Sequence, residues 1–214
     1  MRPQKLEQPR RWWDRLFAPS SSLAIITTVD DQGRTNAAAY GTCTRVNHEP
    51  VQIAFTANVG SDTARNVLGR GEFVANLPRF DRASLEAVRI VGLPFSPGTN
   101  ELEKAGITSL VSTHVAPPRI QETPRNFECR VQWTKEWTGR LMVVGEVVAA
   151  AVDANCVDVN GFILWDMVLP VHYCGALYGG QFVGMRDVMA VDVPYDGPEV
   201  AEFLARERAM LKEP

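Results

Sequence analysis

Close cysteine pairs are missing from this 214-residue sequence. Cys43, Cys129, Cys156 and Cys174 are widely spaced and form no Cys-x-x-Cys pair, so neither a dense disulfide framework nor a zinc site is expected. Four free thiols in a reducing compartment is the reading that remains. Histidine is scarce too. His48, His114 and His172 lie far apart, which argues against a metal centre. No run of about 18 apolar residues occurs, so no membrane-spanning helix is expected. The opening MRPQKLEQPRRWWDRLF is charged and lacks the apolar stretch of a signal peptide, so a cytoplasmic protein is the expectation. Positive charge is not in excess either. With 22 basic and 25 acidic side chains the net charge is −3, which offers no global attraction for nucleic acid. Finally, no G-x-G-x-x-G is present, which excludes a separate dinucleotide-binding Rossmann unit.

What is present reads as an ordinary globular chain, long enough to bury a core without staples. No repeat, low-complexity tract or linker interrupts it, and a single domain over residues 1–214 is expected. SLAIITTV (22–29) is apolar and β-branched on both faces, as a buried strand should be. DDQGR (30–34) is a turn signal, and TNAAAYGTCTRV (35–46) follows as the second strand of a hairpin. Further strands are expected at 51–57, 72–78 and 128–133, the last with Cys129, Val131 and Trp133 on one face. RLMVVGEVVAAAV (140–152) reads as a long strand interrupted by Gly145, with WTKEWTG as the hairpin connection before it. Helices are expected at 62–70, 82–92 and 100–106, where Asn100 and Glu103 are spaced as a capping box. An amphipathic helix at 197–212 begins with Pro198 at its first turn. Residues 107–126 look irregular. Short turns between most strands, with helices as insertions, argue for a mainly β fold: an antiparallel barrel decorated by helices.

Three stretches could carry chemistry. In GSDTARNVLGRG the polar residues Ser61, Asp62 and Thr63 gather at a helix start, with Asn66 one turn on. The first amides of a helix lack internal partners and attract anions, and Thr63 and Asn66 could add donors. Asp62 is also a good N-cap, so capping without a ligand stays open. In NAAAYGTC (36–43) small side chains expose strand backbone to which a flat ring could bond, or simply fill a crowded barrel. In LPVHYCGALYGG (169–180) His172, Tyr173, Cys174 and Tyr178 gather near glycines. His172 could serve as a proton donor or a flavin or nicotinamide contact. Nothing there supplies an oxyanion hole for a cysteine nucleophile.

Five segments in order, AIITTVDDQGRTNAAAYGTCTRVNHEPVQIAF, SDTARNVLGRGEFVANLP, FECRVQW, VVGEVVAAAVD and LPVHYCGALYG, resemble the flavin reductase-like family of FMN-binding split barrels. The resemblance covers roughly residues 20–180 and is most specific at D-T-x-x-N and GEFVANLP. It implies a six-stranded antiparallel Greek-key barrel that dimerises, with FMN, rather than FAD, near the subunit interface. On that resemblance Ser61, Asp62, Thr63 and Asn66 lie at the flavin phosphate. Tyr40, Gly41, Thr42, Cys43 and Thr44 lie along the isoalloxazine, while His172 and Tyr178 lie near the ring and its nicotinamide face. Many relatives carry Lys or Arg where this chain has Ser61, and Ser where it has Gly41. Arg45, Arg65 or an arginine of a partner chain would have to supply the missing cation. The implied activity is NAD(P)H-dependent flavin reduction, with His172 the candidate catalytic residue, serving a partner monooxygenase or another acceptor. The alternatives are a flavin-binding electron-transfer or storage protein without nicotinamide specificity, and a barrel that has lost flavin and serves as an interaction module. The aromatic arm RRWWDRLF, with Trp12, Trp13 and Phe17, is expected to help bury a homodimer interface.

Overall fold

The buried run Ser22–Val29 (β1) lies at the centre of the architecture. The computed structural model describes residues 7–10, 21–174, 180–189, 201–202 and 205. β1 pairs antiparallel on one side with β2 (Thr35–His48) and on the other with β4 (Glu72–Leu77). β2 pairs with β3 (Val51–Asn58), β3 with β8 (Arg140–Val152), β8 with β7 (Arg125–Trp137), and β7 with β4. The order β1-β2-β3-β8-β7-β4 thus returns to β1 and closes a six-stranded antiparallel barrel.

Alternation along β1 explains its double burial. Ala24 and Ile26 face the barrel interior with Phe55, Phe73, Cys129 and Val143. Leu23 and Ile25 face outward and are covered by Val88 and Val91 of α2 (Arg82–Val91) and Leu102 of α3 (Glu101–Ala105). Each such apolar side chain contributes about 1.5–3 kcal/mol on burial. Helix α1 (Asp62–Arg70) joins β3 to β4 and places Ala64 and Val67 in the interior cluster.

The local signals act as their chemistry predicts. Ser61 caps α1, and Gly71 ends it in the left-handed region at φ 70°. Asn100 caps α3 by accepting from Leu102 N–H at 3.2 Å, and its Nδ2 donates to the Glu103 carboxylate at 2.9 Å, a side-chain pair in place of the reciprocal backbone bonds of the expected capping box.

Three expectations need correction. Gly145 does not interrupt β8. The strand runs through it, and a Cβ there would lie 2.5 Å from the Phe73 ring, so its missing side chain makes room for that ring. The β7–β8 connection is not WTKEWTG but the tight turn Thr138–Gly139, both at positive φ. Trp133 does not share a buried face with Cys129, because a register shift between Val131 and Trp133 turns it outward, where it is 48% exposed.

The stretch at 107–126 holds two short paired strands, β5 (Ser109–Leu110) and β6 (Arg119–Ile120). Buried Asn76 accepts from Ile120 N–H at 3.0 Å and from Asn126 Nδ2 at 2.9 Å, tying this segment to the barrel. Beyond β8, α4 (Trp165–Val168) precedes β9 (Val171–Tyr173), which adds to the edge of β1 at Ser22 and pairs with β10 (Phe182–Gly184). Trp12, Trp13, Phe17 and Tyr178 lie outside the described residues, as does the helix expected at 197–212 apart from Ala201, Glu202 and Ala205, which are helical. Among the described residues no helix is long and apolar enough to cross a membrane.

Candidate functional site

β2 follows β1 along its first half but meets β3 only from Thr44 onward. Between Asn36 and Thr42 its second edge therefore has no strand partner among the described residues. Ala37 N–H, on that edge, donates instead to the buried Glu101 carboxylate at 2.9 Å. Where the β2–β3 ladder is broken, Thr42 Oγ1 accepts the Thr56 N–H at 3.1 Å. A cleft of about 790 Å³ runs along this edge. Its walls are Ala38–Thr42, the helix start Gly60–Thr63, the end of α2 with the residues after it (Val91–Phe95), and Arg140. That volume is in the range of small-molecule and cofactor sites.

At the helix start Ser61 Oγ accepts the Ala64 N–H at 3.2 Å and donates to the Asn58 carbonyl at 2.8 Å. The amides of Asp62 and Thr63 have no acceptor among the described residues. Capping and anion binding are thus compatible here: Ser61 satisfies one orphan amide and leaves two. The Asp62 carboxylate is ion-paired with Arg65, whose Nη1 also donates to the Gly60 carbonyl at 2.8 Å.

Behind the amides lies a buried polar network. Asn36 Nδ2 donates to Thr63 Oγ1 at 3.0 Å and to Thr28 Oγ1 at 3.1 Å, and Asn66 Nδ2 donates to the same Thr28 hydroxyl at 3.0 Å. Thr63 and Asn66 are both buried. The Asn66 amide is therefore committed inward, and Asn66 lines a neighbouring depression that shares Asp62 and Arg65 with the cleft. The Tyr40 ring packs on Phe55 at 5.0 Å between centroids. Burial pushes its phenol pKa up, against hydrogen bonds to Thr63 and Ser61 that pull it down.

The cleft brings together Tyr40, Gly41, Thr42, Ser61, Asp62 and Thr63 from the sequence-derived set. Cys43 points into the barrel interior, where burial pushes its thiol up to about 12 and keeps it protonated at neutral pH. Thr44 is exposed beyond the cleft, at the point where β2 joins β3. His172 lies elsewhere, in a depression with Arg125, Trp165 and Met185. Its Nδ1 is 2.7 Å from the Ser21 carbonyl, which can only accept, so Nδ1 carries the proton. Gly41 packs under Tyr173: a Cβ there would lie 3.2 Å from the Tyr173 ring, so in this chain a tyrosine occupies the space above the position.

Sequence reasoning missed Glu101, Arg140 and the segment Val91–Phe95. Glu101 was legible only as a residue of a short capped helix, and Arg140 only as the first residue of a strand. Their place at the cleft depends on tertiary packing. Among the described residues no cluster of His, Cys, Asp or Glu could hold a metal ion.

Comparison with known proteins gives this cleft a context. The sequence profile of the family described as flavin reductase like domain matches residues 18–171. An uncharacterised protein of Aquifex aeolicus (strain VF5) is 30% identical over 161 residues, covering 73% of this chain and 81% of that protein. Among solved structures, the 2-nitrobenzoate 2-nitroreductase NbaA of Pseudomonas fluorescens superposes with a TM-score of 0.75 at 24% identity, covering 89% of this chain and 95% of that one. Nitrilotriacetate monooxygenase component B of Bacillus cereus superposes with a TM-score of 0.74 at 20% identity, covering 89% and 98%. At these identities the superpositions establish a shared fold.

Proposed function

Because the chain belongs to the flavin reductase-like domain family, we propose that it binds FMN in the cleft between β2 and α1 and acts as an NAD(P)H-dependent flavin reductase. One observation carries the reading: the free edge of β2 and the two free amides of Asp62 and Thr63 open onto the same cleft. A flavin needs a flat floor, backbone groups for the polar edge of its ring and an anion site for its phosphate. Small residues at 38, 39 and 41, an unpaired strand edge and a helix start meet those needs. A terminal phosphate suits two free amides at a helix start, which favours FMN over FAD.

Bound flavin supplies the two-electron chemistry with a nicotinamide donor, so the chain needs no acid–base residue of its own for that transfer. Its residues bind and orient. The backbone of Ala38–Thr42 would hold the ring, the amides of Asp62 and Thr63 the phosphate, and the Asn36–Thr28–Asn66 network keeps α1 in register with β1 behind them. The acceptor is a monooxygenase or another protein or small molecule, a reading supported by the fold shared with nitrilotriacetate monooxygenase component B. One domain, assembled as a homodimer in a reducing cytoplasm, completes the reading. It is supported by four free cysteines and by exposed apolar side chains at Phe162, Trp165, Val188 and Met189.

A flavin-binding electron-transfer or storage protein without nicotinamide specificity is the second reading, supported by the position of His172 outside the cleft. One experiment separates them: FMN is added to the purified protein, free flavin is removed, and the absorption spectrum is recorded before and after anaerobic NADH or NADPH. Retained oxidised-flavin bands that bleach support the reductase. Bands that persist support the second reading, and no retained flavin overturns both.

A further inference from the structure

The helix start carries no free cation of its own, although the proposed FMN site would bring a phosphate of about −1.5 to −2 charge to it. Ser61 is a neutral cap, and Asp62 and Arg65 neutralise each other. Two backbone amides would leave most of that charge uncompensated, whereas a guanidinium supplies paired donors and a full positive charge. Of the other arginines, Arg45 lies on β2 opposite Ile53, past the end of the cleft.

Arg140 is differently placed. It opens β8 directly opposite Asn58 and lines the cleft together with Ser61, Asp62 and Thr63. The hairpin tip before it is fastened to the approach of α1, since Val59 N–H donates to the Gly139 carbonyl at 3.2 Å and Ser61 N–H to the Asn58 carbonyl at 3.0 Å. The following residue, Leu141, is buried in the barrel interior, which by strand alternation turns Arg140 outward. Its guanidinium has no ion pair or hydrogen bond among the described residues. Among the described residues the cleft therefore has one unpaired cation, held by a tight turn against the helix start.

We infer that Arg140 is the phosphate-binding cation of this cleft, supplied by the β7–β8 hairpin rather than by the helix. The inference rests on the proposed FMN site. It makes the hairpin tip a determinant of discrimination between phosphorylated and unphosphorylated flavin. Because Arg140 is exposed and makes no side-chain bond among the described residues, its replacement should leave the fold intact.

The test is titration of FMN and riboflavin, followed by fluorescence quenching, against the wild-type chain, Arg140→Gln, Arg140→Lys and Arg45→Gln. Arg140→Gln should weaken FMN about tenfold or more while changing riboflavin by no more than about twofold, as expected for one charge-assisted contact. Arg140→Lys should recover part of the loss, and Arg45→Gln, with the same change of net charge, should alter neither. Equal losses for the two flavins, an unchanged FMN affinity, or an equal effect of Arg45→Gln would overturn the inference while leaving the FMN site standing, provided the wild type binds FMN. A wild type that binds neither flavin would overturn both.

Discussion

Thr42 takes over the role of a strand carbonyl toward Thr56: its hydroxyl accepts the Thr56 N–H at 3.1 Å at the point where β2 parts from β3. The Thr56 hydroxyl also contacts it at 3.2 Å. This side-chain bridge lets the barrel stay closed while the first half of β2 keeps a free edge for a ligand.

Thr42→Val keeps the shape and removes the acceptor. It should lower stability by about 1 kcal/mol and weaken flavin binding, because the edge it pins is the proposed floor of the site. Thr42→Ser should retain both. Thermal melts and flavin titrations of the two variants check this, and equal behaviour of Val and Ser would contradict it.

Glu128 contributes to the response to acid. It is fully buried and receives N–H groups from Thr113 at 2.9 Å and His114 at 2.6 Å, with Arg119 2.5 Å away. Burial alone would raise its pKa, but these bonds and the guanidinium outweigh it and the net shift is downward from 4.5. The stability it contributes is therefore fully present above the ordinary carboxylate value and is lost as pH falls through the depressed one. Glu128→Gln leaves the Arg119 charge uncompensated and should lower stability at neutral pH by about 3–5 kcal/mol. Unfolding curves across the acid range should show a smaller loss on acidification in the variant than in the wild type.

Local chemistry was legible in the sequence, and pairing between distant segments was not. Ser61, Gly71, Asn100 and Glu103 act within a few residues of themselves, so α1 and α3 could be placed from spacing alone. Thr63 and Asn66 were visible as residue types, but the donation of Asn66 to Thr28 and the bond that Thr63 accepts from Asn36 depend on β1 and β2 passing beneath the helix. The full length of β7 was hidden because its exposed second half, Trp133–Trp137, is register-shifted and is ordered by its ladder to Arg140–Val144 rather than by its own periodicity. Arg140 was invisible for the same reason: only the packing of the hairpin tip against residues 58–61 carries it to the cleft.

Assembly is a separate expectation. Exposed Phe162, Trp165, Val188 and Met189 would be unusual on a monomer, and closed two-fold symmetry is the commonest way to cover such a surface. Sedimentation velocity at micromolar concentration should give a dimer. A single species of monomer mass would contradict the assembly.

Anaerobic stopped-flow mixing of the FMN-loaded protein with NADH, and separately with NADPH, tests directly whether this cleft holds FMN for reduction by a nicotinamide. Bleaching of the flavin band should saturate with at least one nucleotide and run far faster than bleaching of free FMN at the same concentrations. Bleaching no faster than that of free FMN with both nucleotides would contradict it.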